Sequence, residues 1–427
     1  MRAGPTRRRV ALALASITAF SLALAGCAAD ETVKIDVPTQ VDAAFPEATA
    51  TQLQDAVTHA MTAAGASGAI VGVWAPWSGT LVTGMGVESP GGDEPVTDDM
   101  EFRVAQVSRA MTCDLLYKVA DEGMVRVNDP VTTWVSGFPD LADVTLAELC
   151  DSTSGIGSYS TQLSGLFLSN PTRVWNPREL ASYGLGQPRQ GEPGAAYRDS
   201  DAGYVLLGVA LERATGRSAA ELLQDYVVDP LDLTATSLPT DAAAEPSTTE
   251  PVLTGHHSLR DAAGAMNCAE PLDLTSLSAS SGYTDSGVVS NIRDLGRYTQ
   301  ALAAGALDPK GSDRFKNPVQ MPNAPSWYLV GGGTVRPGSL IGQFGAVPGY
   351  ATAAFSDRAS GLTVAVVLNN SGGGPYFAEQ LALELAAIAS KAPAGAGETT
   401  PEAGLPWTAQ QYHDLITAST ICAAPPA

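Results

Sequence analysis

Phe102-Arg103-Val104-Ala105-Gln106-Val107-Ser108-Arg109-Ala110-Met111-Thr112 carries the strongest structural signal in the chain. It opens a run of helical apolar periodicity that ends at Gly123, where a glycine can close a helix, so a helix is predicted over 102–123. Gln106 and Arg109 stand three residues apart near its start, with Ser108 between them. Upstream, Leu53, Ala56, Val57, Ala60 and Met61 recur at spacings of three and four and predict an amphipathic helix over 45–64. Two apolar runs, 68–74 and 80–87, flank Pro76-Trp77-Ser78-Gly79 and read as a hairpin.

Downstream, helices alternate with Pro/Gly/Ser-rich loops from 129 to about 302, loosest over 239–282. Strands are then expected at 327–330, 340–344, 350–355 and 362–368, a closing helix at 377–389 and a tail helix at 407–420. The simplest packing of this order joins both chain ends in one antiparallel sheet flanked by helices, with residues about 106–300 inserted as a helical lobe. That makes the fold class α/β in the α+β sense. Ligands usually sit in the cleft between such lobes.

Apolar residues make up 44% and charged residues 16% of the 427, so a well-packed core is available and disorder is excluded. Aromatics are only 6%, which leaves Ala, Val and Leu to fill most of that core. A formal charge of −21 makes nucleic acid and anionic headgroups poor partners. Arg2, Arg7, Arg8 and Arg9 precede an apolar stretch from Val10 to Leu24, too short for the ~20 residues a bilayer-spanning helix needs. Leu24-Ala25-Gly26-Cys27 then resembles the lipobox of bacterial lipoproteins. Residues 1–26 are expected to be a leader, Cys27 the acylated start of the mature chain and 27–45 a tether. An ordinary signal peptide with an incidental cysteine is the competing reading. Export by the general or the twin-arginine route stays open. The expected location is the outer face of the bacterial cell membrane, held there by lipid.

Four cysteines remain: Cys113, Cys150, Cys268 and Cys422. An even number in an exported chain suggests two disulfides, with three pairings allowed. Cys113 with Cys150 and Cys268 with Cys422 is the favoured one.

Six segments in order, including the opening stretch, resemble the class C β-lactamase and D-Ala-D-Ala carboxypeptidase family of serine hydrolases. The others are Glu122-Gly123-Met124-Val125-Arg126-Val127-Asn128-Asp129-Pro130; the turn Thr145-Leu146-Ala147-Glu148-Leu149-Cys150-Asp151-Ser152-Thr153-Ser154-Gly155-Ile156; the run from Pro193 to Gly208; Ser286-Gly287-Val288-Val289-Ser290-Asn291-Ile292; and Gly342-Gln343-Phe344-Gly345-Ala346-Val347-Pro348-Gly349-Tyr350. The resemblance covers residues 46–391 and implies a β-lactamase/transpeptidase-like domain, followed by a linker and tail over 392–427.

The family's Ser-x-x-Lys pair falls on Gln106 and Arg109, its Tyr-x-Asn on Asp199-Ser200-Asp201, and its Lys/His-x-Gly on Gln343-Phe344-Gly345. A carboxamide is no nucleophile, and a guanidinium with a pKa above ~12 is no general base. Shifting the register does not help. Ser108 places Met111 at the lysine position, and none of the five lysines (34, 118, 310, 316, 391) follows a serine by three. No catalytic residue, cofactor or metal is therefore expected. Arg109 is expected to pair with Asp199 or Asp201, the alternative being a ligand carboxylate or phosphate. Backbone amides near Gln106 and Ala346 are the remnant of an oxyanion hole.

His256-His257, with Asp261 and Cys268 nearby, reads as a solvated loop rather than a metal site. His59 falls on a helix and His413 in the tail. Gly331-Gly332-Gly333 reads as a strand turn, and Trp74, Trp77 and Trp327 as core. The expected function is that of a pseudoenzyme: a lipid-tethered envelope protein binding a cell-wall (peptidoglycan) fragment, a glycolipid or a protein partner. One rival is an active hydrolase using Ser108, Ser152 or Ser154, and another is a structural lipoprotein with a filled cleft. A hydroxyl beside an unprotonated base in the cleft is the observation that would overturn the inactive reading.

Overall fold

The structure, a computed structural model, describes residues 32–239, 251–262, 264–401 and 404–422. The leader, Cys27 and part of the loosest stretch lie outside the described residues. Among the described residues no helix is long and apolar enough to cross a membrane.

Eight strands form one antiparallel sheet. The hairpin is β1 (Gly68–Ala75) and β2 (Gly79–Gly86). The C-terminal half supplies β3 (Val319–Gln320), β4 (Tyr328–Gly331), β5 (Thr334–Pro337), β6 (Leu340–Val347), β7 (Tyr350–Asp357) and β8 (Thr363–Leu368). Their order is β2-β1-β8-β7-β6-β5-β4-β3, so β1 and β8 close the sheet by pairing the two ends of the chain. Side chains alternate between the two faces of a strand, and here both faces are buried. Ile70, Tyr350, Ala354, Ala365 and Val367 point into the core shared with the helical lobe. Val71, Val73, Phe355, Val364 and Val366 point into a second core on the opposite face.

That second core is roofed by α1 (Glu47–Ala64), which ends at left-handed Gly65 (φ 64), and by the closing helix and tail helix described below. The lobe is centred on α2 (Ser108–Asp121), buried along nearly its whole length. Beside it runs α3 (Asp201–Thr215), while α4 (Ile292–Ala304) lies on the sheet; their N-cap side chains Ser200 and Asn291 each accept backbone N–H groups. The closing helix is α5 (Tyr376–Ala389) and the tail helix α6 (Ala409–Ala418). Both favoured cysteine pairs lie at disulfide distance. Cα–Cα is 5.6 Å for Cys113–Cys150, tying α2 to the helix Leu146–Cys150, and 5.9 Å for Cys268–Cys422.

Two expectations change. The run 102–123 is not one helix. Phe102–Arg103 pairs with Val289–Ser290 as a short strand, a 3₁₀ turn spans Ala105–Val107, and α2 begins only at Ser108. Periodicity alone cannot separate these, because the strand, the turn and the helix start are all buried. The tether and linker are also docked. Val33 N donates to Pro230 O (2.7 Å) and Val41 N to Pro76 O (3.2 Å), while Trp77 Nε1 donates to Ala392 O (3.1 Å) and Gly395 N to Trp77 O (2.8 Å).

Candidate functional site

The inserted lobe meets the edge of β6 at a cleft of about 420 Å³. Gln106 enters it from the 3₁₀ turn ahead of α2, where Ala105 is held at φ 51. Positive φ is costly for a residue with a side chain and persists where the surroundings enforce it. The backbone thus aims position 106 into the cleft, where the side chain is a carboxamide. Gln106 Oε1 is buried without a partner, and a Cβ at Gly345 on β6 would collide with it. Gly345 is needed for that close approach. Ala346, the other expected oxyanion-hole position, also lines the cleft.

Arg109 is held by protein carboxylates and does not line the cleft. Its side chain is 6% exposed; Nη1 donates to Asp199 Oδ1 (2.5 Å) and Nε to Asp285 Oδ1 (2.8 Å), and the guanidinium lies over the Tyr204 ring, 4.8 Å from its centroid. Asp285 lies 176 residues away in sequence and was not among the expected partners. Asp201 is not a partner of Arg109. Its carboxylate accepts the Tyr159 and Ser160 N–H groups (2.6 and 2.9 Å), fixing the start of the helix Ser160–Ser169. Gln343 is turned into the sheet edge, donating to Gly333 O (3.0 Å) and accepting from Phe344 N (2.9 Å). Of the five expected positions, only Gln106 and Asp201 line the cleft, together with Asp285.

The electrostatics follow from burial. Burial, and after it the charge of Asp285, pushes the Asp201 carboxyl up to about 6. Burial also raises Asp285, and the guanidinium of Arg109 offsets that only in part. Crowding works to raise Asp199 as well, but Arg109 prevails and holds it below its usual range; more than half of its side chain is exposed. Three carboxyls and one guanidinium share the site, and both donor edges of that guanidinium in use here are occupied by protein. The walls are mostly apolar, with Phe167, Leu168, Val347 and Pro348 among them.

The three serines expected as alternative nucleophiles are structural. Ser108 Oγ donates to Ala105 O (2.8 Å) and accepts from Val288 N (3.2 Å). Ser152 Oγ bonds the Tyr204 hydroxyl (2.9 Å), and Ser154 Oγ accepts from Ile156 N (3.3 Å). All three are buried. The reading of His256-His257 as a solvated loop is corrected. They form a short strand with Leu272–Asp273; His256 is buried, its Nε2 2.9 Å from Glu88 O. His257 lines the cleft, and its Nδ1 lies 2.8 Å from Ser371 Oγ. Burial lowers the pKa of His257, so the ring is a neutral base at pH 7. A hydroxyl beside an unprotonated base therefore exists in the cleft, contrary to expectation. Sequence offered little signal, because the two residues are 114 positions apart. Ser371 Oγ also accepts the Gly349 N–H (2.9 Å), which withdraws electron density from it. Among the described residues no carboxylate hydrogen-bonds the other nitrogen of His257.

A sheet closed by both chain ends, a helical lobe inserted between them and a cleft at the head of α2 define the fold of the serine β-lactamases and penicillin-binding proteins. A family profile described as Beta-lactamase matches residues 53–389, and the chain belongs to that family. It is 26% identical to penicillin-binding protein 4* of Bacillus subtilis over 60% of this chain and 58% of that protein. It is also 26% identical to the D-alanyl-D-alanine-carboxypeptidase/endopeptidase AmpH of Escherichia coli, over 36% of this chain and 40% of AmpH. The chain thus spans about half the length of these curated relatives. Among solved structures it resembles a D-stereospecific amidohydrolase from Streptomyces at TM-score 0.66 and 24% identity, over 79% of this chain and 97% of that one, a likeness of fold.

Proposed function

We propose that the protein is an envelope pseudoenzyme of this family, tethered through Cys27, whose cleft binds a cell-wall fragment without acylation. The observation that carries this reading is Arg109, clamped between Asp199 and Asp285 at the lysine position, beside Gln106 at the serine position. Neither side chain can attack a carbonyl or relieve a nucleophile of its proton. The open cleft argues against the filled-cleft rival.

The charge of the site narrows the ligand. Arg109 is engaged by Asp199 and Asp285 away from the cleft lining, and the carboxyls that do line it, Asp201 and Asp285, make it a poor host for a ligand carboxylate. An amine or amide donor is complementary. The reading therefore favours a muropeptide carrying a free amino group over a glycolipid phosphate. Calorimetry with such a muropeptide and with its N-acetylated form tests it. An affinity, read from the calorimetric titration, that weakens about tenfold or more on acetylation is expected, since one charge-assisted hydrogen bond contributes roughly 1.5–3 kcal/mol. Absence of heat from both forms refutes cleft binding.

One observation favours a second reading, an active hydrolase with relocated chemistry: the His257–Ser371 pair in the same cleft. In it Ser371 attacks and His257 takes the proton. The Gly349 N–H on Ser371 and the missing carboxylate behind His257 weigh against it. A fluorophosphonate adduct that maps to Ser371 and disappears in Ser371→Ala would establish this second reading.

A further inference from the structure

On the far side of the sheet from the cleft, three helices bring together His59 of α1, Glu384 of α5 and His413 of α6. One ligand atom from each lies within 4.8 Å of the others. His413 Nδ1 is 3.0 Å from Glu384 Oε1, and the two imidazoles are stacked with centroids 3.8 Å apart. His59 Nε2 bonds Thr417 Oγ1 (3.0 Å), which leaves Nδ1 as its other ring nitrogen.

Two observations point beyond a packing contact. Glu384 is only 3% exposed, yet its Oε2 has no hydrogen-bond partner, and buried His59 Nδ1 has none either. Orphaned buried acceptors of this kind cost free energy unless something occupies them. A protein side chain cannot, since none of the described residues reaches them.

We propose that His59, Glu384 and His413 form a zinc site that fastens the tail helix α6 to α1 and α5. Two imidazoles and one carboxylate are a donor set suited to Zn²⁺, which takes nitrogen and oxygen ligands at about 2.0–2.2 Å. Convergence of both imidazole lone pairs on one ion requires the stacked rings to turn about their Cβ–Cγ bonds. His413 is partly exposed, which gives the ion an entry path and leaves a solvent-side position for water as fourth ligand. The site works alongside the Cys268–Cys422 disulfide, whose Cys422 packs against Gly65 at the end of α1. Together they make two independent fastenings for the C-terminal segment. The site is remote from the cleft and does not depend on whether the cleft is active.

The test is Zn²⁺ titration of the metal-stripped, tag-free protein by calorimetry, with Co²⁺ absorption to report coordination. One Zn²⁺ per chain is expected, with a rise in melting temperature. Glu384→Gln and His413→Ala should each weaken binding at least about 100-fold, while His257→Ala, altering the other histidine pair, leaves it intact. Circular dichroism of the metal-free variants checks that they are folded, and Glu384→Gln, close in shape to the native side chain, serves if His413→Ala is not. No binding at millimolar Zn²⁺, or binding that survives both substitutions, overturns the proposal.

Discussion

At the scale of single residues, Arg109 shows how one buried cation organises its surroundings. A lysine could serve as a base only by shedding its charge, and burial next to carboxylates opposes that. An arginine keeps its charge and recruits partners, here Asp199 and Asp285 with Tyr204 beneath. Breaking a buried pair by removing one partner strands the other charge. Arg109→Met should therefore destabilise the protein by about 3–5 kcal/mol at pH 7, measured by urea unfolding. Asp285 has a raised carboxyl pKa already. Without Arg109 it takes up a proton more readily, so the deficit should shrink as pH falls toward about 5. A deficit that is small, or unchanged with pH, contradicts the clamp. The proposed absence of a nucleophile and base rests on the letters at 106 and 109, which the sequence alone supplies. The identity of the clamp was not legible there. Asp285 and Ser371 reach the cleft from segments more than a hundred residues from their partners, and no local pattern announces such a meeting.

At the scale of elements, α2 is the structural axis of the lobe, and it is fixed from several sides. Cys113 ties it to the helix Leu146–Cys150. Asp114 on the same helix is buried with Arg314 and accepts the Tyr298 hydroxyl of α4 (2.6 Å). Replacing Cys113 and Cys150 together with serine opens a loop of 37 residues and should cost roughly 3–4 kcal/mol by the chain-entropy estimate. The check is the denaturation midpoint, compared with that of the native protein under reducing and non-reducing conditions. A midpoint that does not move would mean that packing alone fixes α2. The hairpin, strands β4, β6, β7 and β8 and the outer helices were readable, the helices from their amphipathic periodicity and the strands as short apolar runs between turn residues. The start of α2 was not, because strand, turn and helix there are equally buried, and the choice among them is made by pairing with Val289–Ser290.

At the scale of the whole molecule, buried carboxyls shape the pH behaviour, Glu379 and Asp201 among them. Burial pushes Glu379 on α5 up to about 7, partly offset by the hydroxyl of Tyr328, and Asp201 stands at about 6. Both folded-state values lie above the ordinary ones. The folded chain therefore binds more protons than the unfolded chain between about pH 4 and 7, and stability falls as pH rises through that window. Glu379→Gln keeps an acceptor for Tyr328 and removes the charge. It should flatten part of that slope and raise stability at pH 8 by on the order of 3 kcal/mol, as thermal melts at pH 5 and 8 will show. A destabilised variant at pH 8 would mean that the carboxylate is favourable where it sits.

The central claim concerns reactivity, and intact-mass spectrometry tests it most directly. The protein is incubated with a penicillin and, separately, with a fluorophosphonate, then weighed. The account predicts an unchanged mass in both cases, and still no acyl adduct after Gln106→Ser, because Arg109 remains clamped and protonated. A stoichiometric mass increase on the native protein, mapped to Ser371 or to any other hydroxyl lining the cleft, would contradict it.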